Sequence, residues 1–369
     1  MTMTKETYAP GTHPSLPPPK NTVGVIYWLR ENLFSSATNS IVTLVSIYLL
    51  YLALPSAINW LFIDATYVGT TRKDCAPDGA CLAFIGERFN LFVYGFYPAE
   101  LRWRVNLATL LLVVAGAAVL WDKIPARKHM LKFAMVYPFI GAWLLTGGFG
   151  LESVGTHLFG GLMLTLTIGV TGIVFSLPLG ILLALGRQSN LPIIKYFCIG
   201  FIEFIRGVPL ITLLFVASTM LSYFLPPGTT FDLLMRVLIM VTLFASAYMA
   251  EVIRGGLQAL PKGQLEAAES LGLNYGQAMR FIILPQALKI SIPGIVNTFI
   301  GLYKDSTLVI VIGLLDPLGI GRASVADSDW LGLSTEVYLF VAVFFFISCF
   351  GMARYSLYLE NKLNTGHKR

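Results

Sequence analysis

Long apolar runs separated by short polar stretches set the pattern of this chain. Eight runs, at about 41–63, 104–121, 131–147, 158–186, 195–224, 232–254, 284–315 and 336–358, approach or exceed the roughly 20 residues with which a helix crosses about 30 Å of hydrocarbon. The expected fold class is therefore all-α, a polytopic membrane protein of about eight transmembrane helices. Before the first run, Pro10, Pro14, Pro17, Pro18 and Pro19 make residues 1–40 read as a disordered cytoplasmic tail and not a cleaved signal peptide. Residues 41–150 hold three spans and an external loop, 64–103. Within that loop Phe89, Phe92, Val93, Phe96 and Tyr97 recur at roughly helical spacing before Pro98. They fit either a short amphipathic segment on the membrane surface or a compact loop packed on the external helix ends. Residues 151–369 hold the other five spans and a long cytoplasmic loop, 254–289.

Composition agrees with that division. Of 369 residues 56% are hydrophobic and 12% charged, against roughly 25% charged in soluble domains. The net charge of +6 does not form a nucleic-acid-binding stripe, because the basic residues lie between spans. With the N-terminus inside, 17 of the 26 basic residues fall in cytoplasmic segments and three, Arg206, Arg236 and Lys304, within spans. Arg72, Lys73, Arg88, Arg102 and Arg104 belong to the long external loop or its edge, and long loops translocate with less regard for charge. Both termini are thus expected in the cytoplasm. Cys198 and Cys349 lie in apolar spans, whereas Cys75 and Cys81 share the external loop, where an oxidising compartment would let them pair. Pro77 and Gly79 between them permit the tight turn such a bond needs; two unpaired thiols is the alternative.

Nothing in the chain resembles a catalytic centre. The four histidines are scattered, and neither HExxH nor the GxxxxGK[ST] phosphate loop occurs, so no catalytic residue, metal ligand or bound cofactor is assigned. The long cytoplasmic loop carries the informative motif instead. Residues 266–285 read EAAESLGLNYGQAMRFIILP. Glu266, Ala267, Ala268, Gly272, Ile282, Leu284 and Pro285 reproduce, at full spacing, the EAA pattern of ABC importer permeases, a chance match on the order of one in 10⁵ to 10⁶. The residue types suit a loop that pushes on a partner. Ala267 and Ala268 favour a rigid helix with little bulk. Gly272 can take the left-handed conformation that ends it. Glu266 and Glu269 share a face that basic groups on a partner could meet.

The likeness extends through EFIRGVPL (203–210), AEVIRGG (250–256), PKGQ (261–264) and LYKDSTLV (302–309), and covers about residues 155–360. These stretches resemble polar amino-acid permeases of the histidine and glutamine type. The extra N-terminal helices, the Cys75–Cys81 loop and the segment 95–104 look like the permeases of general L-amino-acid transport systems of Gram-negative bacteria. In one departure, Asp305, Ser306 and Thr307 follow Lys304 where the family often has Asp, Thr, Ser; both hydroxyls are kept.

Ionisable residues inside a bilayer mark a pathway or a pair. Lys304 and Asp305 interrupt the seventh span, which contains Pro293, Gly294 and Gly301, and a helix broken there would free backbone groups for a substrate. Lys304, Asp305, Ser306 and Thr307 are therefore candidates for the substrate pathway or gate; a mutually neutralising Lys304–Asp305 pair is the competing reading. Glu203 and Arg206, about 12 Å in from Lys195, could pair with each other or snorkel, with Gly207 and Pro209 kinking the helix beyond them. Glu251 and Arg254 read as an interfacial pair beside the loop.

The resemblance implies a type I ABC importer permease: a five-helix core, three added helices and a coupling loop, working by alternating access in the bacterial inner membrane. It implies a periplasmic amino-acid-binding protein, a cytoplasmic ATP-binding subunit dimer holding ATP and magnesium, and a second permease subunit, related or identical. The chain itself is then no enzyme. Its surroundings are membrane lipid, with no nucleic-acid partner. An ion-gradient-driven secondary transporter is the alternative, yet no inverted repeat and no paired acids in matching halves are visible.

Overall fold

Apolar runs this long, rich in Leu, Ile and Ala, can satisfy their backbone groups inside a membrane only by forming helices or closed barrels. The computed structural model describes residues 24–121, 123–124, 127–220, 223, 226 and 231–363, and among them no extended strand occurs, only isolated bridge residues at Thr66, Cys81, Gly148 and Leu151, the last two bridged to each other. In chain order the helices are α1 (Val25–Asn32), α2 (Ala37–Ile58), α3 (Ala83–Glu87), α4 (Phe89–Tyr94), α5 (Arg102–Leu120), α6 (Arg127–Thr146), α7 (Gly161–Arg187), α8 (Pro192–Gly207), α9 (Leu210–Thr219), α10 (Leu233–Gln258), α11 (Gly263–Ser270), α12 (Tyr275–Ala278), α13 (Leu284–Asp305), α14 (Pro317–Ser324) and α15 (Ser334–Leu363).

Among the described residues six helical stretches are long and apolar enough to span a membrane, or seven if one bent pair counts as a span. They are Ala37–Ile63, Ala99–Leu120, Gly161–Arg187, Leu233–Gln258, Tyr275–Ile312 and Ser334–Leu363. The expected count of eight differs for two physical reasons. The third run is a helix, α6, but Arg127, Lys128 and Lys132 occupy its first two turns and leave its apolar stretch short. The fifth run is two helices, α8 and α9, bent by 103°. Val208 precedes Pro209 and is extended (φ −108°, ψ 133°), as the proline ring demands, so α8 ends at Gly207 and Pro209 caps α9. The expected kink is a full break.

The described chain forms two compact units. One comprises the described residues up to Thr66 with Cys75–Ala80; within it the apolar window of α2 buries nothing. The expected disordered tail, 1–40, is helical over Val25–Asn32, while 1–23 lie outside the described residues. The second unit comprises Tyr67–Asp74 and the described chain from Cys81 on. There the part of the 64–103 loop from Cys81 on is compact: Phe84, Phe92 and Tyr97 are buried, Phe84 meets Trp330 edge-on at 5.5 Å, and Phe92 meets Phe340 at 5.0 Å. Of the two readings of that loop, these contacts favour the packed one.

Among the apolar clusters of this unit, the two larger hold Tyr97, Phe159, Leu164, Ile168, Leu214 and Val241 in one and Ala184, Ile202, Met249, Ile253, Ile283 and Ala287 in the other. Helix α10 runs through both. It lies so close to α13 that a Cβ on Gly294 would stand 2.6 Å from a Val252 methyl. The Ser291 hydroxyl donates to the Val252 carbonyl at 3.2 Å across the same contact.

Candidate functional site

The loop after α10 is set by local rules. Helix α11 carries Glu266, Ala267, Ala268 and Glu269; Ala268 is buried, and the other three are exposed. The helix ends where Gly272 turns left-handed (φ +78°), with its N–H on the Glu269 carbonyl and the Leu273 N–H on the Ala268 carbonyl. No atom stands within 4 Å of where a Gly272 Cβ would be, so backbone conformation and not space calls for glycine. Asn274 then opens α12 with a reciprocal cap: its Oδ1 accepts from the Gln277 N–H at 2.9 Å, and Gln277 Oε1 accepts from the Asn274 N–H at 3.0 Å. Met279–Ile283 makes one wide π turn, in which the Leu284 N–H reaches back to the Met279 carbonyl, just ahead of Pro285, which has no N–H to give. Leu284 is half-buried and Pro285 exposed. Gln286 Nε2 donates to Gln264 Oε1 at 2.7 Å, latching α13 to α11. The loop nevertheless presents apolar side chains outward, Leu271 at 80% and Phe281 at 65% exposed.

Directly behind the loop lies a charged cluster that the sequence only hinted at. Glu251 on α10 accepts from Arg187 at 2.9 Å and from Arg254 at 2.8 Å, and Arg206 approaches it at 3.6 Å. Glu203 pairs with Arg187 at 2.8 Å, not with Arg206 as the i, i+3 spacing suggested. Arg254 also reaches Gln258 at 2.8 Å, toward the loop. One carboxylate thus gathers guanidinium groups from the ends of α7, α8 and α10.

Toward the membrane interior, Arg206 lies 5.4 Å from the centroid of the Tyr248 ring. That ring lines a cavity of about 300 Å³ together with Phe244, Asn297, Thr298, Gly301 and Asp305. Asn297, Gly301 and Asp305 follow one face of α13 at i, i+4, i+8. The expected break at Pro293, Gly294 and Gly301 is absent: α13 runs through all three and tightens into a 3₁₀ turn only at Ser306–Ile312. Gly294 serves the contact with α10 instead. Ser306 is fully buried and its hydroxyl donates to the Tyr303 carbonyl at 2.7 Å, while Thr307 donates to the Lys304 carbonyl at 3.0 Å. Neither hydroxyl is directed at the cavity as its hydrogen-bond donor. Lys304 is exposed, Asp305 half-buried, and among the described residues no ion pair joins them.

Sequence reading missed Tyr248, Asn297 and Arg187 as site residues. The first two were accessible from helical spacing, Tyr248 one turn before Glu251 and Asn297 two turns before Asp305; nothing local points to Arg187. Cys75 and Cys81 are both disulfide-bonded, and Cys198 and Cys349 are free thiols. Beyond the spans, Asp316 caps α14, accepting from the Gly319 N–H at 2.9 Å. Its other oxygen is buried without a partner among the described residues, and burial raises its pKa to about 6.

Membrane-crossing helices, a cavity between two of them that mixes apolar walls with Asn297, Thr298 and Asp305, and a structured loop beside it fit a membrane permease, a component of a transport system. The chain belongs to the family of binding-protein-dependent transport system inner membrane components, which residues 176–364 match. It is 52% identical over 357 residues, 96% of this chain and 97% of the relative, to the inner membrane amino-acid ABC transporter permease protein YhdY of Escherichia coli K12. It is 44% identical over 422 residues, 95% and 96% of the two chains, to the glutamate/glutamine/aspartate/asparagine transport system permease protein BztC of Rhodobacter capsulatus. A solved structure described as the crystal structure of an amino acid ABC transporter with histidines matches 55% of this chain and 91% of its own, at 32% identity and a TM-score of 0.48. Membership in this family sets the ion-gradient alternative aside, and it brings an ATP-binding subunit and a substrate-binding partner with it.

Proposed function

We propose that this chain is the translocation subunit of an ATP-driven importer of polar L-amino acids. The coupling loop carries the reading: an exposed Glu266–Ala267 face, a left-handed Gly272 stop and outward-facing Leu271 and Phe281 suit a partner that grips and moves it. That partner is a cytoplasmic ATP-binding subunit dimer, which holds ATP and magnesium and performs the hydrolysis. A second permease subunit completes the pathway, a periplasmic binding protein delivers the amino acid, and both termini of this chain face the cytoplasm of an inner-membrane assembly. The names of the relatives, amino-acid permeases and one glutamate, glutamine, aspartate and asparagine system, support the substrate class.

Asp305 offers a carboxylate for the α-ammonium of the substrate, and Asn297 supplies amide donors for its α-carboxylate, in a cavity where a bare zwitterion would bear a large desolvation cost. This departs from the role first expected of Ser306 and Thr307. From the cavity, the contacts Tyr248, Arg206, Glu251 and Arg254 lead to the loop. Proteoliposomes holding the chain with its ATP-binding subunit, second permease and binding protein should take up labelled L-glutamine or L-glutamate only when ATP and binding protein are both present. Asp305→Asn should assemble normally and lose most uptake. Uptake driven by an ion gradient without ATP would overturn the reading, and parent-rate uptake by Asp305→Asn would remove the ammonium site from it.

A further inference from the structure

Among the described residues the first unit carries a helix with an uncovered apolar face. Every residue of α1 is exposed, Val25 at 74%, Ile26 at 84% and Trp28 at 56%. At about 100° per residue, Trp28, Val25, Leu29 and Ile26 fall on one arc of about 160°, with Arg30, Tyr27 and Glu31 opposite. Asn32, the one polar residue on that arc, turns its amide back onto the Trp28 carbonyl at 2.9 Å.

The link from α1 to α2 sets the depth at which that face lies. Leu33 closes α1, its N–H on the Leu29 carbonyl at 2.9 Å, and the extended Ser36 opens α2 by accepting from the Asn39 N–H at 3.1 Å. The two are therefore separate helices and not one rod. Thr43 Oγ1 donates to the Leu33 carbonyl at 2.8 Å. Thr43 stands about 9 Å along α2 from Ala37, so the end of α1 is held beside the second turn of the span. In α2, Thr38, Asn39 and Ser40 are polar and the apolar run begins at Ile41, which puts this level at the edge of the hydrocarbon. With a length of about 12 Å, α1 stays within the headgroup layer unless it stands upright, and upright it would hold its apolar arc in water.

We infer that α1 lies in the lipid headgroup layer, with Trp28, Val25, Leu29 and Ile26 on the acyl chains and Arg30 and Glu31 toward water. Its partner is a bilayer surface, held by apolar burial with an indole at the boundary, where indoles settle. The inference needs only that α2 crosses a bilayer and is independent of what the chain transports.

Spin labels on Ile26→Cys, Leu29→Cys, Arg30→Cys and Glu31→Cys test this. Each is placed in the full chain carrying Cys198→Ala and Cys349→Ala, reconstituted in vesicles of phosphatidylethanolamine and phosphatidylglycerol; Cys75 and Cys81 are disulfide-bonded and take no label. Power saturation then reads access to oxygen, which concentrates in hydrocarbon, and to a water-soluble nickel chelate. The oxygen-to-nickel ratio should be at least about fivefold higher for labels replacing Ile26 and Leu29 than for those replacing Arg30 and Glu31. Equal ratios at the four positions would leave α1 without a membrane face, and exclusion of both reagents from the first two would put protein over it. Either result would overturn the inference.

Discussion

The 266–285 loop and the Glu251 cluster are neighbours in the fold, yet they are built in opposite ways. Almost every contact that shapes the loop spans five residues or fewer: the Gly272 stop, the Asn274–Gln277 cap, the wide turn before Pro285. The cluster joins Arg187, Glu203, Arg206, Glu251 and Arg254 from three helices, across as many as 64 residues. Local construction leaves a loop that can move as a unit and be remade without disturbing the core. Long-range construction makes the cluster a structural clamp at the inner ends of α7, α8 and α10, whose removal should be felt by the whole bundle.

The largest effect should follow from opening the clamp. Glu251→Gln leaves the half-buried Arg187 and Arg254 and the exposed Arg206 around a neutral amide; losing the shared partner of three guanidinium groups at once costs toward the lower end of the about 3 to 5 kcal/mol seen for a fully buried pair. Thermal unfolding of the detergent-solubilised chain should show a fall of several degrees or failure to assemble. A parent-like midpoint would mean the cluster is not structural.

Asp316 should give the next largest effect, and one that depends on pH. Its pKa in the fold, about 6, lies above the unfolded value of 3.8, so the folded chain holds a proton that the unfolded chain has released. Its contribution is therefore most favourable below pH 4 and is lost as the pH rises through 6, by on the order of 3 kcal/mol. Asn caps a helix about as well as Asp. Asp316→Asn should accordingly match or exceed the parent's stability at pH 7.5 and flatten the change between pH 4 and 7.5. An unchanged pH profile would show that the carboxyl is solvated.

Asn274→Ala should have the smallest effect on stability, about 1 kcal/mol, the usual loss of a cap, and confined to the loop. Hydrogen exchange should quicken in 274–283 and stay unchanged in α7 and α10. If exchange quickened in the bundle as well, loop and clamp would be one cooperative unit and the comparison would fail.

The same contrast explains what could be read before the structure. The spans were legible because membrane crossing needs unbroken apolar length, and the loop was legible because capping and left-handed glycine are sequence-local. The 103° break between α8 and α9 was half visible: Gly207 and Pro209 announce a disturbance, but its angle depends on what α9 packs against. Glu203 was matched with Arg206 because spacing along one helix is all a sequence offers, whereas its partner, Arg187, sits on another helix. Pro293 and Gly294 suggested a broken span, and only the close approach of α10 explains why an unbroken helix needs Gly294. Asp305 was identified by its cost in an apolar run, while the cavity around it needed two helices in place.

The central claim is that the 266–285 loop transmits the work of a partner ATPase, and Gly272→Val addresses it most directly. Valine at φ +78° bears strain of about 1 to 2 kcal/mol, and no atom beyond its chain neighbours lies within 4 Å of where its Cβ would stand, so the variant is expected to insert and assemble. The measurement is ATP-driven amino-acid uptake and binding-protein-stimulated ATP hydrolysis on the same purified, reconstituted complex. The account predicts that both fall together, at least tenfold, while binding of amino acid to the binding protein is untouched. An assembled Gly272→Val complex that transports and hydrolyses ATP at the parent rates would contradict it.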